Sequence, residues 1–207
     1  MKFVQRFRKI SLVFPVRFSA FGFGGSIAHL VLEEFDPGHP GGQQPAPVPQ
    51  LFVLSAKTQN SLRTYVENLS RFIHHNHRNQ GSDLFNRMAY TLQVGRDCFR
   101  HRLAFIAGDM DDLEEKMSSY LQGNTGIDGV FDSNGQQHGS SISSLISGKA
   151  GKEFLRVIMA ERNLGQLAEL WVCGVAVNWT RLYETGRPVR LPLPVYPFEK
   201  TVFRYSK

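Results

Sequence analysis

Leu51-Phe-Val-Leu-Ser-Ala56 opens the stretch that decides the fold, and Phe99-Arg-His-Arg-Leu-Ala-Phe-Ile-Ala107 closes it. Both ends are short apolar runs bounded by polar residues or glycine, the mark of buried strands. Between them the chain keeps a helical period. Leu62, Tyr65, Val66, Leu69, Phe72 and Ile73 recur three and four apart, then Leu84, Phe85, Met88, Ala89 and Leu92 do the same. The pattern is strand, helix, helix, strand. The spacing predicts a first helix capped by Thr58 or Ser55 and ended at His74, His75 and His77, and a second capped by Asp83 and stopped at Gly95. Such apolar faces are worth roughly 1.5–3 kcal/mol per buried side chain, so the two strands must share one sheet that the helices cover.

Working outward, Asp109 and Asp112 open a further helix carrying Leu113, Met117, Tyr120 and Leu121 and closed by Gly123. Gly129-Val-Phe-Asp132 reads as a short third strand. Ser133 to Gly148 is rich in Ser, Gly and Gln and reads as a flexible loop. Lys149 to Arg162 is helical, with Phe154, Leu155, Ile158 and Met159 on one side. Asn163 caps another helix with Leu164, Leu167, Leu170 and Trp171 inward and Gly174 as its stop. Upstream, Asp36 to Gln50 holds Pro37, Pro40, Pro45, Pro47 and Pro49 with three glycines, which forbids helix and discourages sheet; it is a linker.

Composition bounds the function. The chain has 207 residues, 42% hydrophobic and 20% charged, enough for one good domain with appendages. The net charge of +6 comes partly from both ends and admits a nucleic-acid or acidic-membrane partner, but solvated charge on two extended tails is the favoured reading, and no aromatic-basic motif accompanies it. Cys98 and Cys173 lack a CxxC partner, which argues against a zinc site or a disulfide framework and for a reducing, cytoplasmic setting. No apolar run approaches the ~20 residues of a membrane span. The basic start with Ile10 to Val16 imitates a signal peptide, but Pro15 and Arg17 cut it short.

Candidate chemistry is sparse. Phe18-Ser-Ala-Phe-Gly-Phe-Gly-Gly-Ser-Ile-Ala-His-Leu-Val-Leu-Glu-Glu34 is strand, glycine turn and a second apolar run. A dinucleotide fingerprint or a nucleophile elbow at Ser26 would need a helix after the glycines, and β-type residues follow instead. Cys98 is the other candidate nucleophile and His29 a candidate base. The His74, His75 and His77 cluster could ligate metal but suits a polar helix terminus as well. Trp171 and Trp179 could be a binding hot spot or core anchors.

The same stretch, Phe18 to Glu34, resembles the last strands of ketosynthases of modular polyketide synthases, where the run reads close to SSFGFGGTNAHVILEE. Tyr90-Thr-Leu-Gln-Val-Gly-Arg96 with Arg102-Leu-Ala-Phe105 is similar to the YTLQxGRxxxxxRLAF signature of the linker that follows the ketosynthase. Leu167-Ala-Glu-Leu-Trp-Val-Cys-Gly174 with Val177-Asn-Trp-Thr-Arg-Leu-Tyr183 resembles the segment beyond the acyltransferase position. Leu191-Pro-Leu-Pro-Val-Tyr-Pro-Phe198 is similar to that family's LPxYPF tail.

The resemblance implies an α+β fold, a small three-stranded, mostly antiparallel sheet backed by several helices and preceded by a thiolase-like strand fragment. It implies four parts: a ketosynthase C-terminal fragment over 1–35 whose first 14 residues match nothing, a linker over 36–50, a docking domain over 51–185, and a wrap-around tail over 186–207. Gly22, Phe23, Gly24 and Gly25 would be the remnant acyl-pocket loop, with Ser26-Ile27 replacing the usual Thr-Asn pair. The cysteine and histidine motifs of ketosynthase catalysis are missing, and no acyltransferase motif stands near Ser133 to Gly148. The implied role is non-catalytic linking and docking in a synthase whose acyltransferase acts in trans. A small acyl-transfer enzyme and a nucleic-acid binder are the alternatives. Implied partners are the ketosynthase body, a trans-acting acyltransferase or acyl carrier protein, and a sister module, with no cofactor in this chain and phosphopantetheine on the partner carrier proteins. Phe154, Leu155, Ile158, Trp171 and Trp179 are the candidate docking residues.

Overall fold

The computed structural model describes residues 16–21, 25, 27–32, 49–133, 146, 148–183 and 186–199, with backbone only for 16 and 77–82. The chain divides into two units, Met1–His39 and Pro40–Lys207.

In the first unit, β1 (Val16–Phe21) and β2 (Ile27–Leu32) form an antiparallel hairpin with Val16 opposite Leu32 and Phe21 opposite Ile27. Gly25 takes a φ of +86°, the left-handed turn conformation that glycine adopts without steric cost. Gly22, Phe23, Gly24 and Ser26 lie outside the described residues. The remaining turn of the hairpin and the 36–48 linker carry expectations that fall outside them too.

The second unit is built on a three-stranded antiparallel sheet in the order β3 (Gln50–Ala56), β4 (His101–Ala107), β5 (Val130–Asp132). Its register sets Phe52 opposite Phe105 and Leu54 opposite Leu103 on one face, and Leu51 opposite Ile106 and Val53 opposite Ala104 on the other. Successive side chains of a strand point to opposite faces, so a continuous apolar run demands cover on both. Both are covered. One face packs Phe52, Leu54, Leu103 and Phe105 against α1 (Gln59–Val94) and α2 (Met110–Leu121). The other packs Leu51, Val53 and Ala104 against α3 (Lys149–Ala160), α4 (Leu164–Val172) and a 3-10 helix, Trp179–Tyr183.

The helix ends follow their capping chemistry. Thr58, Asp109 and Asn163 each accept a backbone N–H three residues on. Gly174, just beyond the α4 cap, has a φ of +98°, the left-handed exit that favours glycine.

One boundary differs from the expectation. The two predicted helices are a single helical run of 36 residues, with no separate cap at its middle. Its arms nevertheless fold back on each other. A straight helix of this length would span about 54 Å, yet Arg96, just past its end, hydrogen-bonds Tyr65 near its start at 3.0 Å. The polar stretch around 77–82 therefore keeps helical pairing while the run reverses. No proline interrupts it, and an internal glycine costs only about 1 kcal/mol. Burying both arms in one core outweighs that cost, since Leu62 to Ile73 and Leu84 to Leu92 belong to the same cluster.

Candidate docking interface

Three groups of side chains hold the C-terminal third of the chain against the sheet. Arg102, half-buried on β4, donates from Nη1 to the carbonyls of Trp171 at 2.7 Å and Val175 at 3.1 Å. Its guanidinium also stacks 5.2 Å from the Trp171 ring centroid. A cation at the carbonyl end of α4 meets the negative end of that helix's dipole. Burial lowers the Arg102 pKa, and the group remains a cation. The backbone of Arg102 also pairs with Ser133, its carbonyl accepting from the Ser133 N–H and its N–H donating to Ser133 Oγ.

The tail, residues 186–199, has no regular secondary structure, and residues within α1 and just beyond both of its ends hydrogen-bond it. Arg87 Nε donates to Val189 O at 2.9 Å, and Leu191 N–H donates to Thr91 Oγ1 at 2.9 Å. Arg96 Nη2 reaches the carbonyls of Leu193 and Pro194 at 3.4 and 3.5 Å. Leu191 and Leu193 enter the first core cluster. Tyr196 Oη accepts from Lys57 N–H at 2.9 Å, and Glu199 accepts from Thr58 Oγ1 at 2.5 Å. Prolines keep such a segment extended and leave its carbonyls free to accept.

Third, Gln93 bridges two elements, donating to Leu51 O at 2.6 Å and accepting from Tyr183 Oη at 2.8 Å. Burial pushes the Tyr183 phenol well above its ordinary range.

The five candidate docking residues separate by exposure. Ile158, Trp171 and Trp179 are 2%, 2% and 5% exposed and belong to the second core cluster. Leu155 is half-buried. Phe154 is 49% exposed, and Val157, one turn on, joins it at 40%. The inward side of α3 is thus Gly151, Ile158 and Met159, while Phe154 and Val157 form a separate outward strip beside a Glu153–Arg156 ion pair. The sequence reading placed Phe154 on the same side as Ile158 and passed over Val157. The signal was present, because Val157 stands three residues from Phe154.

The candidate nucleophiles and ligands do not converge among the described residues. Cys98 is exposed and Cys173 half-buried, both free thiols. His29 Nδ1 pairs with Ser19 Oγ at 2.9 Å across the exposed hairpin. His74 and His75 pack edge to face, and no group of three metal-ligating side chains forms among the described residues. No described helix is long and apolar enough to cross a membrane.

Comparison with known proteins bears on the whole chain. The family model described as RhiE-like, KS-MAT linker domain matches residues 53–124. The polyketide synthase PksN of Bacillus subtilis (strain 168) is 34% identical over 186 residues, 88% of this chain and 3% of that protein. PksM of the same organism is 37% identical over 183 residues, 88% of this chain and 4% of that protein. Among solved structures, the ketosynthase from module 6 of the bacillaene synthase from Bacillus subtilis 168 is similar at a TM-score of 0.67 and 31% identity, covering 91% of this chain and 31% of that one. The ketosynthase from module 1 of the bacillaene synthase from Bacillus amyloliquefaciens FZB42 has a TM-score of 0.65 and 26% identity, covering 94% of this chain and 32% of that one. The chain thus spans a few per cent of these curated relatives and about a third of the solved chains.

Proposed function

We propose that this chain, which belongs to the linker family that follows the ketosynthase in modular polyketide synthases of the trans-acyltransferase type, positions a ketosynthase and docks other components without chemistry of its own. The docked component is a trans-acting acyltransferase or a neighbouring module, with phosphopantetheine carried by partner acyl carrier proteins. In this reading the loop from Gly22 to Gly25 borders the acyl pocket once a ketosynthase body is present.

The observation that carries the reading is the hairpin. Its described side chains from Arg17 to Phe21 and Ile27 to Leu32 are all exposed, Phe21 to 76%. A two-stranded hairpin alone is marginal in water, and apolar residues on both faces call for cover on both. A ketosynthase body supplies that cover in this reading. The outward strip of Phe154 and Val157 is the surface left for the docked component.

The test has two parts. Titrating this chain with a ketosynthase body that lacks the matching strands should give a complex, and Phe21→Ser should weaken it while leaving the second unit folded. A condensation assay with acyl and malonyl carrier proteins should then show turnover only when the body is present. Turnover by this chain alone, or near-stoichiometric labelling of Cys98 or Ser26 by a nucleophile-directed probe, would overturn the non-catalytic role.

A further inference from the structure

A cleft of about 340 Å³ opens in the second unit between the end of α1, the turn at 95–99, α4, the 3-10 helix and the tail. Its walls include Tyr65, Phe99, Trp171, Trp179 and Tyr196, an aromatic lining drawn from five separate parts of the chain. Its volume falls within the range of small-molecule pockets, which pair apolar walls with a few placed polar groups. Two of its lining residues carry donors left without an acceptor among the described residues. The Trp171 indole N–H is buried with no hydrogen-bond partner. Arg190 is exposed and lies against Gly95, and its guanidinium makes no hydrogen bond or ion pair to any described residue.

The other charged lining groups set the sign. Arg96 also lines the cleft, but its donors are taken by Tyr65 and by the carbonyls of Gly95, Leu193 and Pro194. Asp97 is the one acid among the lining residues, against the two arginines. A buried donor left unpaired is costly, and a planar guanidinium favours paired anionic oxygens.

We infer that this cleft binds a small organic anion: an aromatic or apolar body between the rings, and a carboxylate or phosphate head on Arg190. Phe154 and Val157, the exposed strip of α3, are not among the residues that line the cleft.

The full chain is titrated with phenyl phosphate, benzoate and inorganic phosphate while the Trp171 indole N–H resonance is followed by NMR. Phenyl phosphate or benzoate should shift that resonance saturably, and comparison of the two identifies the preferred head. Arg190→Gln should weaken binding about tenfold, the effect of losing one charge-assisted contact. Arg187→Gln, which alters an exposed cation outside the lining, should not. Three results would overturn the inference: no saturable shift with either aromatic anion, equal binding by Arg190→Gln, or inorganic phosphate binding as tightly as phenyl phosphate.

Discussion

Arg96 Nε donates to the Tyr65 hydroxyl at 3.0 Å, joining two residues that stand 31 apart in the chain. This contact ties the end of the α1 run to its beginning and leaves the Arg96 Nη2 donor directed at the tail. The hydroxyl is almost wholly buried with its residue. Tyr65→Phe should lower stability by about 0.5–1.5 kcal/mol, the usual net value of one such bond. Arg96→Met should cost more and also loosen the tail, read as faster proteolysis after residue 186 at unchanged protease concentration. Equal cleavage rates would show that Leu191, Leu193 and the Arg87, Thr91, Lys57 and Thr58 hydrogen bonds hold the tail without Arg96.

Arg102 makes a sharper case, because its Nη1 reaches two carbonyls at once while its Nε reaches a third, that of Phe99. Arg102→Met keeps much of the stem but leaves the end of α4 without its donor, at an expected cost of about 2–4 kcal/mol. Arg102→Lys should recover little, since one ammonium does not reproduce the paired geometry or the stacking on Trp171. Urea midpoints of the two variants check this, and a lysine variant as stable as the parent would refute it.

Core and surface separate along α3 and α4. Trp171→Ala should destabilise by about 3–5 kcal/mol, the cost of emptying a large buried site. Phe154→Ala should stay within about 0.5 kcal/mol of the parent, while weakening association with the docked component. Differential scanning calorimetry distinguishes the two. A large loss for Phe154→Ala would place that ring in a packed environment and remove it from the docking strip.

Alkaline pH should expose the Tyr120 phenol. Burial, aided by the charge of Asp132, raises its pKa to about 12 from 10.0. Below pH 10 the phenol is protonated in folded and unfolded chains alike and contributes no pH dependence. Between 10 and 12 the unfolded chain binds fewer protons, so stability falls as pH rises and levels off above the folded value. Tyr183 should add to this slope, since burial raises it in the same direction. Tyr120→Phe should flatten part of the decline in a series of denaturation midpoints, and an unchanged slope would assign it to other groups.

Gly95 permits a close approach rather than a special turn. A Cβ added there would stand 2.8 Å from Thr91 O and 3.6 Å from Arg190 Cδ. Gly95→Ala should therefore cost about 1–3 kcal/mol, set by the Thr91 carbonyl, while Arg190 stays at ordinary contact distance and the cleft keeps its cation. A variant as stable as the parent would mean that the helix end shifts without strain.

How much of this was legible beforehand varies by residue. The short apolar runs from Leu51 to Leu54 and from Leu103 to Ala107 announced a strand pair, and the caps at Thr58, Asp109 and Asn163 are side-chain signals of short range. Asp83 announced a cap just as plainly, but the helical run passes through it, and Arg87 pairs with its carboxylate at 3.1 Å. A capping residue in a helix interior looks the same in sequence as one at an end. The docking set divided for a related reason. Phe154 and Ile158 stand four residues apart, a spacing that predicts one face, yet only Ile158 enters the second core cluster.

What the amino-acid sequence by itself determined was the set of elements, their capping and the two apolar faces of the strands, because each depends on neighbours within a few residues. The reversal of α1, the path of the tail and the meeting of Arg102 with Trp171 were decided only in the tertiary structure. They join groups from 31 to 141 residues apart, through side-chain donors that find a hydroxyl, a carboxylate or a backbone carbonyl. Every residue but proline offers the same backbone donor and acceptor, so no local pattern tells which carbonyl a distant arginine will find.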